Sequence, residues 1–284
     1  MYKIVSKREL APRIYEMQVE APLIASSALP GQFVIVRTNE KGERIPLTIC
    51  DYNREKGLVT IVTQIVGYSS EQICSLNVGD KFADVVGPLG NPSDFVEMED
   101  EELRSHRWLF VAGGVGTAPV YPQVKWLKEK GVEADVVIGA RTRELFSYVD
   151  EMRKVGNVFL CTDDGSEGFH GLVTDLMEHL VKKEGKNYDR CVIIGPMIMM
   201  KFAAGKAVEL GMQTVVSLNA LMVDGTGMCG ACRVTVDGHT RFTCVDGPEF
   251  DGALVDYDEA MRRQNMYREN KKNKGPLDKC NCNG

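Results

Sequence analysis

Between residues 99 and 217 the hydrophobic pattern repeats as short apolar runs, each ending in glycine or a turn and each followed by a stretch of helical period. That repeat restricts the fold more than any other feature of the chain. Trp108-Leu-Phe-Val-Ala-Gly113-Gly114 is apolar at every position before its glycines, as suits a strand covered on both faces. Residues 117–130 then show amphipathic helical spacing and stop at Gly131. The unit recurs as strand 134–139, helix 144–155, strand 158–162, helix 172–183, strand 191–195, helix 197–210 and strand 214–217. This alternation predicts a five-stranded parallel, doubly wound sheet, whose ligands sit at the carboxyl ends of its strands. Four of those ends carry Gly113-Gly114-Val-Gly116-Thr117, Gly139-Ala-Arg141, Asp163-Asp-Gly165 and Gly195-Pro196-Met197. Glycine lets a backbone approach a ligand closely, so these residues form a candidate dinucleotide site. Arg141 either binds a cofactor phosphate or pairs with Glu144. Asp163 and Asp164 either bond a ribose hydroxyl or cap the turn that follows.

Residues 1–98 have a different period. Segments 14–19, 32–37 and 58–63 alternate or are β-branched, and Pro30-Gly31, Lys41-Gly42 and Asn77-Val-Gly79-Asp80 punctuate them. The spacing predicts a closed antiparallel β barrel. Within it, Arg44-Ile-Pro46-Leu47-Thr48 places a cation and a hydroxyl two residues either side of a proline. In an extended strand Arg44 and Thr48 share a face and can offer both groups to one pyrophosphate. Gly67-Tyr-Ser69-Ser70 adds small residues and hydroxyls where a helical pattern begins, and free N–H groups there suit phosphate oxygens. The plainer readings are a solvated hairpin charge for Arg44 and a helix cap for Ser69 and Ser70.

Residues 218–258 carry Asp224-Gly-Thr-Gly-Met-Cys229-Gly-Ala-Cys232, with Cys244 following after eleven intervening residues. Plant-type [2Fe–2S] loops run Cys, four residues, Cys, two residues, Cys, then a distant Cys. Here Asp224 stands in the first place and cysteines in the other three. The predicted ligand set is therefore one carboxylate and three thiolates, Asp224, Cys229, Cys232 and Cys244. Gly225, Gly227 and Gly230 let the loop wind tightly around a cluster sulfur. Asp224 could instead close an Asx turn, with Cys280 or Cys282 as fourth ligand. Residues 233–243 read as a hairpin turning at Asp237-Gly238, which returns Cys244 to the loop. Residues 259–284 read as a C-terminal helix followed by a flexible, charged tail.

Composition excludes several classes. A net charge of −6 and a pI near 5.4 argue against a nucleic-acid partner. No apolar run approaches the roughly 18 residues that span a bilayer, and no signal peptide precedes the first strand, so no membrane partner is expected. Cys50, Cys74, Cys161 and Cys191 are scattered singly, as reduced thiols of a cytoplasmic protein would be.

A barrel with Arg-x-Pro-Leu-Thr, then Gly-Gly-Val-Gly-Thr-Ala-Pro, then the cluster loop resembles the ferredoxin–NADP reductase superfamily over roughly residues 1–258. It resembles more closely the electron-transfer subunit of dihydroorotate dehydrogenase B. Because Asp224 replaces the first cysteine, it is most similar to the small subunits of NADH-dependent reduced ferredoxin:NADP oxidoreductases. The resemblance implies FAD along Arg44, Pro46, Leu47, Thr48, Thr63, Gly67, Ser69 and Ser70. It implies NAD(H) at the glycine ends of the second domain, with its nicotinamide against the flavin. It further implies an oxidoreductase subunit passing electrons from NAD(H) through FAD to the cluster, and onward to a larger partner carrying another flavin and [4Fe–4S] clusters. Ferredoxin and NADP(H) would be reached only through that partner, by electron bifurcation. A subunit of NAD-dependent dihydroorotate dehydrogenase B and a non-enzymatic redox sensor are the alternatives. Hydride transfer to flavin needs no side-chain acid or base, so no catalytic residue is nominated.

Overall fold

The computed structural model describes residues 2–266. Cys280, Cys282 and the predicted tail lie outside the described residues. The first six strands are β1 (Ile4–Ala11), β2 (Ile14–Glu20), β3 (Phe33–Arg37), β4 (Ile45–Asn53), β5 (Leu58–Gln64) and β6 (Asp84–Leu89). They pair antiparallel in the order β1-β2-β5-β4-β3-β6. The open ends of that order meet through a bridge between Lys3 and Lys81, with Ile4 N–H donating to Asp80 O and Gly79 N–H to Ile4 O, both at 2.9 Å. Closure follows from alternation along the strands: Met17 and Val19 of β2, Val34 and Val36 of β3, and Val59 and Ile61 of β5 all point into one dry core. The barrel also carries two short helices, α1 (Pro22–Ser27) and α2 (Tyr68–Ser75), the latter ahead of β6.

Helix α3 (Asp100–Ser105) leads into the second sheet. Its elements are β7 (Trp108–Gly113), α4 (Thr117–Glu129), β8 (Ala134–Ala140), α5 (Val149–Met152), β9 (Asn157–Thr162), β10 (Phe169–His170), α6 (Val173–Lys182), β11 (Arg190–Ile194), α7 (Met197–Glu209) and β12 (Gln213–Ser217). The strand order β9-β8-β7-β11-β12 is the doubly wound arrangement, with its switch between β7 and β11. Every residue of β7 is buried. Trp108, Phe110 and Ala112 face the α4 side, while Leu109 and Val111 face α6 and α7. Burying each of these large side chains contributes about 1.5–3 kcal/mol, which explains the continuous apolar run.

The helix predicted over 144–155 is broken. A 3-10 turn spans Arg143–Leu145 and only the four residues of α5 are α-helical. Between them Tyr148 takes a left-handed conformation, φ +61°, and turns its ring inward to 5 % exposure. The cause is tertiary: its hydroxyl donates to Glu16 of the barrel. The last strands are β13 (Arg233–Val236), β14 (His239–Phe242) and β15 (Glu249–Asp251), before α8 (Tyr257–Asn265). β13 and β14 form the predicted hairpin, and Asp237 and Gly238 both have positive φ, as a type I′ turn requires. β15 runs antiparallel along β12, so it extends the parallel sheet by a strand that no sequence pattern marked.

Candidate functional site

The loop between β12 and β13 holds the candidate metal ligands. Gly225, Gly227 and Gly230 have φ of +78°, +82° and +65°, which a side chain would strain. Asp224 Oδ1 accepts from Thr226 N–H at 2.9 Å and Oδ2 from Cys229 N–H at 2.7 Å. The Thr226 bond foremost holds the Asp224 carboxyl below its usual range, keeping it an anion. The β13–β14 hairpin returns the chain so that Thr243 Oγ1 donates to Cys232 O at 2.8 Å. That contact sets Cys232 Sγ and Cys244 Sγ 3.3 Å apart, both buried, while Cys229 is exposed. Burial pushes the Cys244 thiol up to about 12, so it stays protonated until a metal takes the sulfur and the proton passes to solvent.

Among the described residues no three His, Cys, Asp or Glu side chains converge as a single-ion cage. The four candidates form two pairs instead, Cys232 with Cys244 through their sulfurs and Asp224 with Cys229, whose thiol also bonds the carboxylate. Two pairs of donors on a glycine-rich loop, the thiols losing their protons as they bind, suit a two-iron cluster in which each iron takes two protein ligands.

On the barrel, Arg44, Pro46, Leu47 and Thr48 are half-buried, whereas Ile49 and Cys50 just beyond them are sealed. Thr48 Oγ1 has no hydrogen-bond partner among the described residues. Arg44 turns away from it: Nε donates to Val223 O at 2.7 Å, Nη2 to Asp224 O at 3.4 Å, and Nη1 faces Asp84 at 3.4 Å. The structure thus brings the predicted phosphate cation onto the backbone of the cluster loop. Thr63 is buried. Gly67 caps α2, and Ser70 closes that cap by accepting from Val66 and Gly67 N–H at 2.9 and 3.0 Å. Ser69 donates to Glu43. Val66 and Tyr68, 80 % and 70 % exposed beside this helix start, leave apolar surface uncovered where a flat ring could lie.

At the second sheet the glycines separate into two kinds. A Cβ on Gly116 would sit 2.3 Å from Ile194 O, one on Gly139 2.3 Å from Val173 Cγ1, and one on Gly113 2.2 Å from Met199 Sδ. One on Gly195 would meet Met199 Cε at 2.7 Å. Gly116 faces backbone and Gly139 a β-branched side chain, so packing requires glycine at both, whereas Gly113 and Gly195 face only the flexible end of Met199 at closest range. Gly114 is different, with φ +56° and nothing within 4 Å. It opens onto the crevice at the switch between β7 and β11, where the 114–116 turn lies against β5 of the barrel. Thr117 braces that turn, its Oγ1 donating to Gly114 O at 3.0 Å. Pro196 precedes α7, and Met197 is buried beneath it.

Glu144 pairs with Arg143 at 3.3 Å and not with Arg141. The exposed Arg141 side chain has no partner among the described residues. Asp164 is occupied in an Asx turn with Ser166, whose Oγ donates to it at 2.6 Å, and this bond lowers its pKa. Asp163 is exposed at the end of β9 with its carboxylate unengaged among the described residues. Gly165 has φ +73°, and a Cβ there would meet the His170 ring at 2.9 Å.

An antiparallel barrel, a doubly wound sheet and a cysteine-bearing loop together define a ferredoxin-reductase-like fold with an iron–sulfur module. Residues 219–256 match the iron–sulfur cluster binding domain of dihydroorotate dehydrogenase B. The chain is 47% identical over 270 residues, 95% of itself and 93% of the relative, to a dihydroorotate dehydrogenase B (NAD(+)) electron transfer subunit homolog of Thermotoga maritima. It is 31% identical over 248 residues, 85% of itself and 92% of the relative, to the electron transfer subunit of that enzyme from Fusobacterium nucleatum. A solved NADH-dependent reduced ferredoxin-NADP oxidoreductase, described for flavin-based electron bifurcation, superposes with a TM-score of 0.88 at 46% identity, covering 96% of this chain and 95% of that one. The chain belongs to the family of dihydroorotate dehydrogenase B-type electron-transfer subunits. It is an iron–sulfur flavoprotein of the oxidoreductase class, with FAD, a [2Fe–2S] cluster and NAD(H) as its cofactors.

Proposed function

We propose that this chain is the small subunit of a bifurcating NADH/ferredoxin:NADP transhydrogenase. It would pass electrons between NAD(H), FAD and its cluster and a larger partner subunit carrying a further flavin and [4Fe–4S] clusters. Ferredoxin and NADP(H) would act through that partner. The observation that carries this reading is the 46% identity to the solved NADH-dependent reduced ferredoxin-NADP oxidoreductase chain, over nearly the whole of both chains. Flavin supplies the conversion between the two-electron chemistry of nicotinamide and the one-electron chemistry of an iron–sulfur cluster.

The residues divide the remaining work. The barrel, 1–98, holds FAD: Pro46, Leu47, Thr48 and Thr63 line it, and Gly67, Ser69 and Ser70 offer the start of α2 to its phosphates. The 99–217 unit holds NAD(H). Gly114 admits the dinucleotide backbone, Arg141 meets its phosphate, and Asp163 bonds the adenosine ribose. A carboxylate at that place favours NADH over NADPH, because it would repel a 2′-phosphate. Asp224, Cys229, Cys232 and Cys244 of the 218–258 module ligate the cluster. Arg44 joins the barrel to the cluster loop, keeping the flavin strand and the electron outlet in one rigid unit. No described helix is long and apolar enough to cross a membrane, and the described cysteines form no disulfide. Both fit a cytoplasmic setting.

The matched cluster domain and the Fusobacterium relative favour a second reading, the electron-transfer subunit of dihydroorotate dehydrogenase B itself. Purification from native cells with flavin, iron and subunit counts separates the two. A partner containing flavin and [4Fe–4S] clusters is expected. A partner that oxidises dihydroorotate would overturn the first reading.

A further inference from the structure

A polar network with a buried centre, Glu16 and Tyr148, and a half-exposed outer member, Arg8, joins the barrel to the nucleotide-binding sheet, and none of the cofactor assignments uses it. Glu16 of β2 is 7 % exposed and directs its carboxylate into the seam. Arg8 of β1 grips it in a fork, Nε to Oε1 at 2.7 Å and Nη2 to Oε2 at 2.9 Å. From the other side Tyr148 donates its hydroxyl to Oε2. Arg8 Nη2 also donates to Glu151 of α5 at 2.8 Å, so both domains hold both ends of the network. Tyr148 keeps a left-handed backbone, φ +61°, to make this contact, and it interrupts a helix to do so. A bulky residue stays in that conformation only where its surroundings over-determine it.

The position of the network matters as much as its chemistry. Tyr148 packs in one apolar cluster with Cys50, Val62, Ala118 and Val115. Cys50 Sγ donates to Thr48 O at 3.4 Å, on the strand assigned to the flavin. Val115 and Ala118 belong to the glycine turn and the first turn of α4, assigned to the nicotinamide nucleotide. The network therefore adjoins residues that the placement proposed above assigns to both cofactors. The side-chain ion pair of Lys125 with Asp51, at 2.8 Å, also links α4 to β4 but has no member in the apolar cluster around Tyr148.

Hydride transfer demands that donor and acceptor atoms approach to about 3–3.5 Å, and a misplacement of about 1 Å can cost a hundredfold. Here the two rings are carried by different domains, so their register is an interdomain distance. We infer that Tyr148 and Glu16, clamped by Arg8, are positioning residues that set the stacking of the nicotinamide on the flavin. This inference rests on the cofactor placement proposed above. Burial raises the Tyr148 phenol well above its ordinary range, so it remains a donor throughout the working pH range.

Tyr148→Phe removes only the hydroxyl, and Glu16→Gln removes the charge that Arg8 grips. In the purified holoprotein both variants are expected to retain FAD and iron. Their NADH dissociation constants, from the concentration dependence of stopped-flow flavin bleaching, should stay within about twofold of the native value. The limiting rate at saturating NADH should fall about tenfold or more. The long-wavelength absorbance of stacked nicotinamide and flavin, seen on adding NAD(+) to the reduced protein, should weaken in parallel. Lys125→Met, which breaks the ion pair with Asp51, should leave rate and absorbance unchanged.

A native limiting rate and native absorbance in Tyr148→Phe with full FAD would overturn the inference. If Tyr148→Phe loses FAD, Glu16→Gln carries the same measurement. If both lose FAD, the network maintains the fold rather than the register and the inference falls. Failure of NADH to bleach native flavin would instead sink the functional reading beneath it.

Discussion

At the scale of single residues, glycines with similar sequence contexts do different work. Gly114 and Gly116 stand two positions apart in one turn. Gly114→Ala meets no neighbouring atom but must adopt a positive φ, a strain of about 1 kcal/mol, and its methyl would enter the crevice. It should weaken NADH binding at least about tenfold while lowering the melting temperature by only a few degrees. Gly116→Ala would drive its methyl into Ile194 O, so it should destabilise the fold by roughly 1–3 kcal/mol. Fluorescence titration with NADH and thermal unfolding separate the two outcomes. Asp224→Cys tests the cluster. The structure shows an Asx turn in which the carboxylate accepts from Thr226 and Cys229, and such a turn is compatible with ligation and with a purely structural role. Because thiolate donates more charge to iron than carboxylate does, the variant should keep the cluster and shift its reduction potential and EPR spectrum. An unchanged potential would leave Asp224 as a turn residue alone.

Arg44 connects elements, because the barrel strand β4 begins beside it while its guanidinium holds the loop that carries Cys229. A charged donor on a backbone carbonyl contributes about 1.5–3 kcal/mol when buried, and for this half-buried group roughly 1 kcal/mol is reasonable. Arg44→Ala should therefore speed iron release to a chelator about fivefold, with little change in barrel stability. Iron release at the native rate would count against the link. Such element-level features were only partly legible in sequence. The Asp237-Gly238 turn was readable because an I′ turn is specified by its own two residues. The break before α5 was not, because helical spacing over 144–155 is intact and the residue that overrides it, Glu16, lies 132 positions away. Likewise β15 is only three residues long and owes its conformation to the exposed edge of β12.

For the whole molecule the sensitive point is Glu249, where barrel, sheet and cluster module meet. Its Oε1 accepts from Gln123 of α4 at 2.8 Å and from Ser93 at 3.1 Å, and Gly31 packs against it. The residue as a whole is partly exposed, but Oε2 is sealed from solvent with no partner among the described residues, so the carboxylate behaves as a buried group. Burial, with a smaller effect from nearby Asp94, raises its pKa to about 7. Asp94 is itself paired with Arg190 at 2.8 Å. An acid whose folded pKa lies above its unfolded value binds its proton more tightly when folded. The associated stability is present below about pH 4.5 and is lost as pH rises through about 7. The loss is roughly 3 kcal/mol at most. Between pH 5 and 8 the melting temperature of the native holoprotein should thus fall by several degrees relative to Glu249→Gln. Parallel curves for the two proteins would show that Glu249 ionises normally in place.

By itself the sequence determined the barrel, the order of strand and helix through the second sheet, and a cysteine loop of [2Fe–2S] spacing. Each of these is written in a local code: side-chain period, turn residues and ligand intervals. Only the tertiary structure decided that Arg44 would hold the cluster loop 179 residues further on, that Tyr148 would abandon a helix for Glu16, and which glycines are free to face a ligand. Those outcomes depend on which distant groups become neighbours, and on the cost of leaving a buried charge or donor without a partner. No local pattern records either.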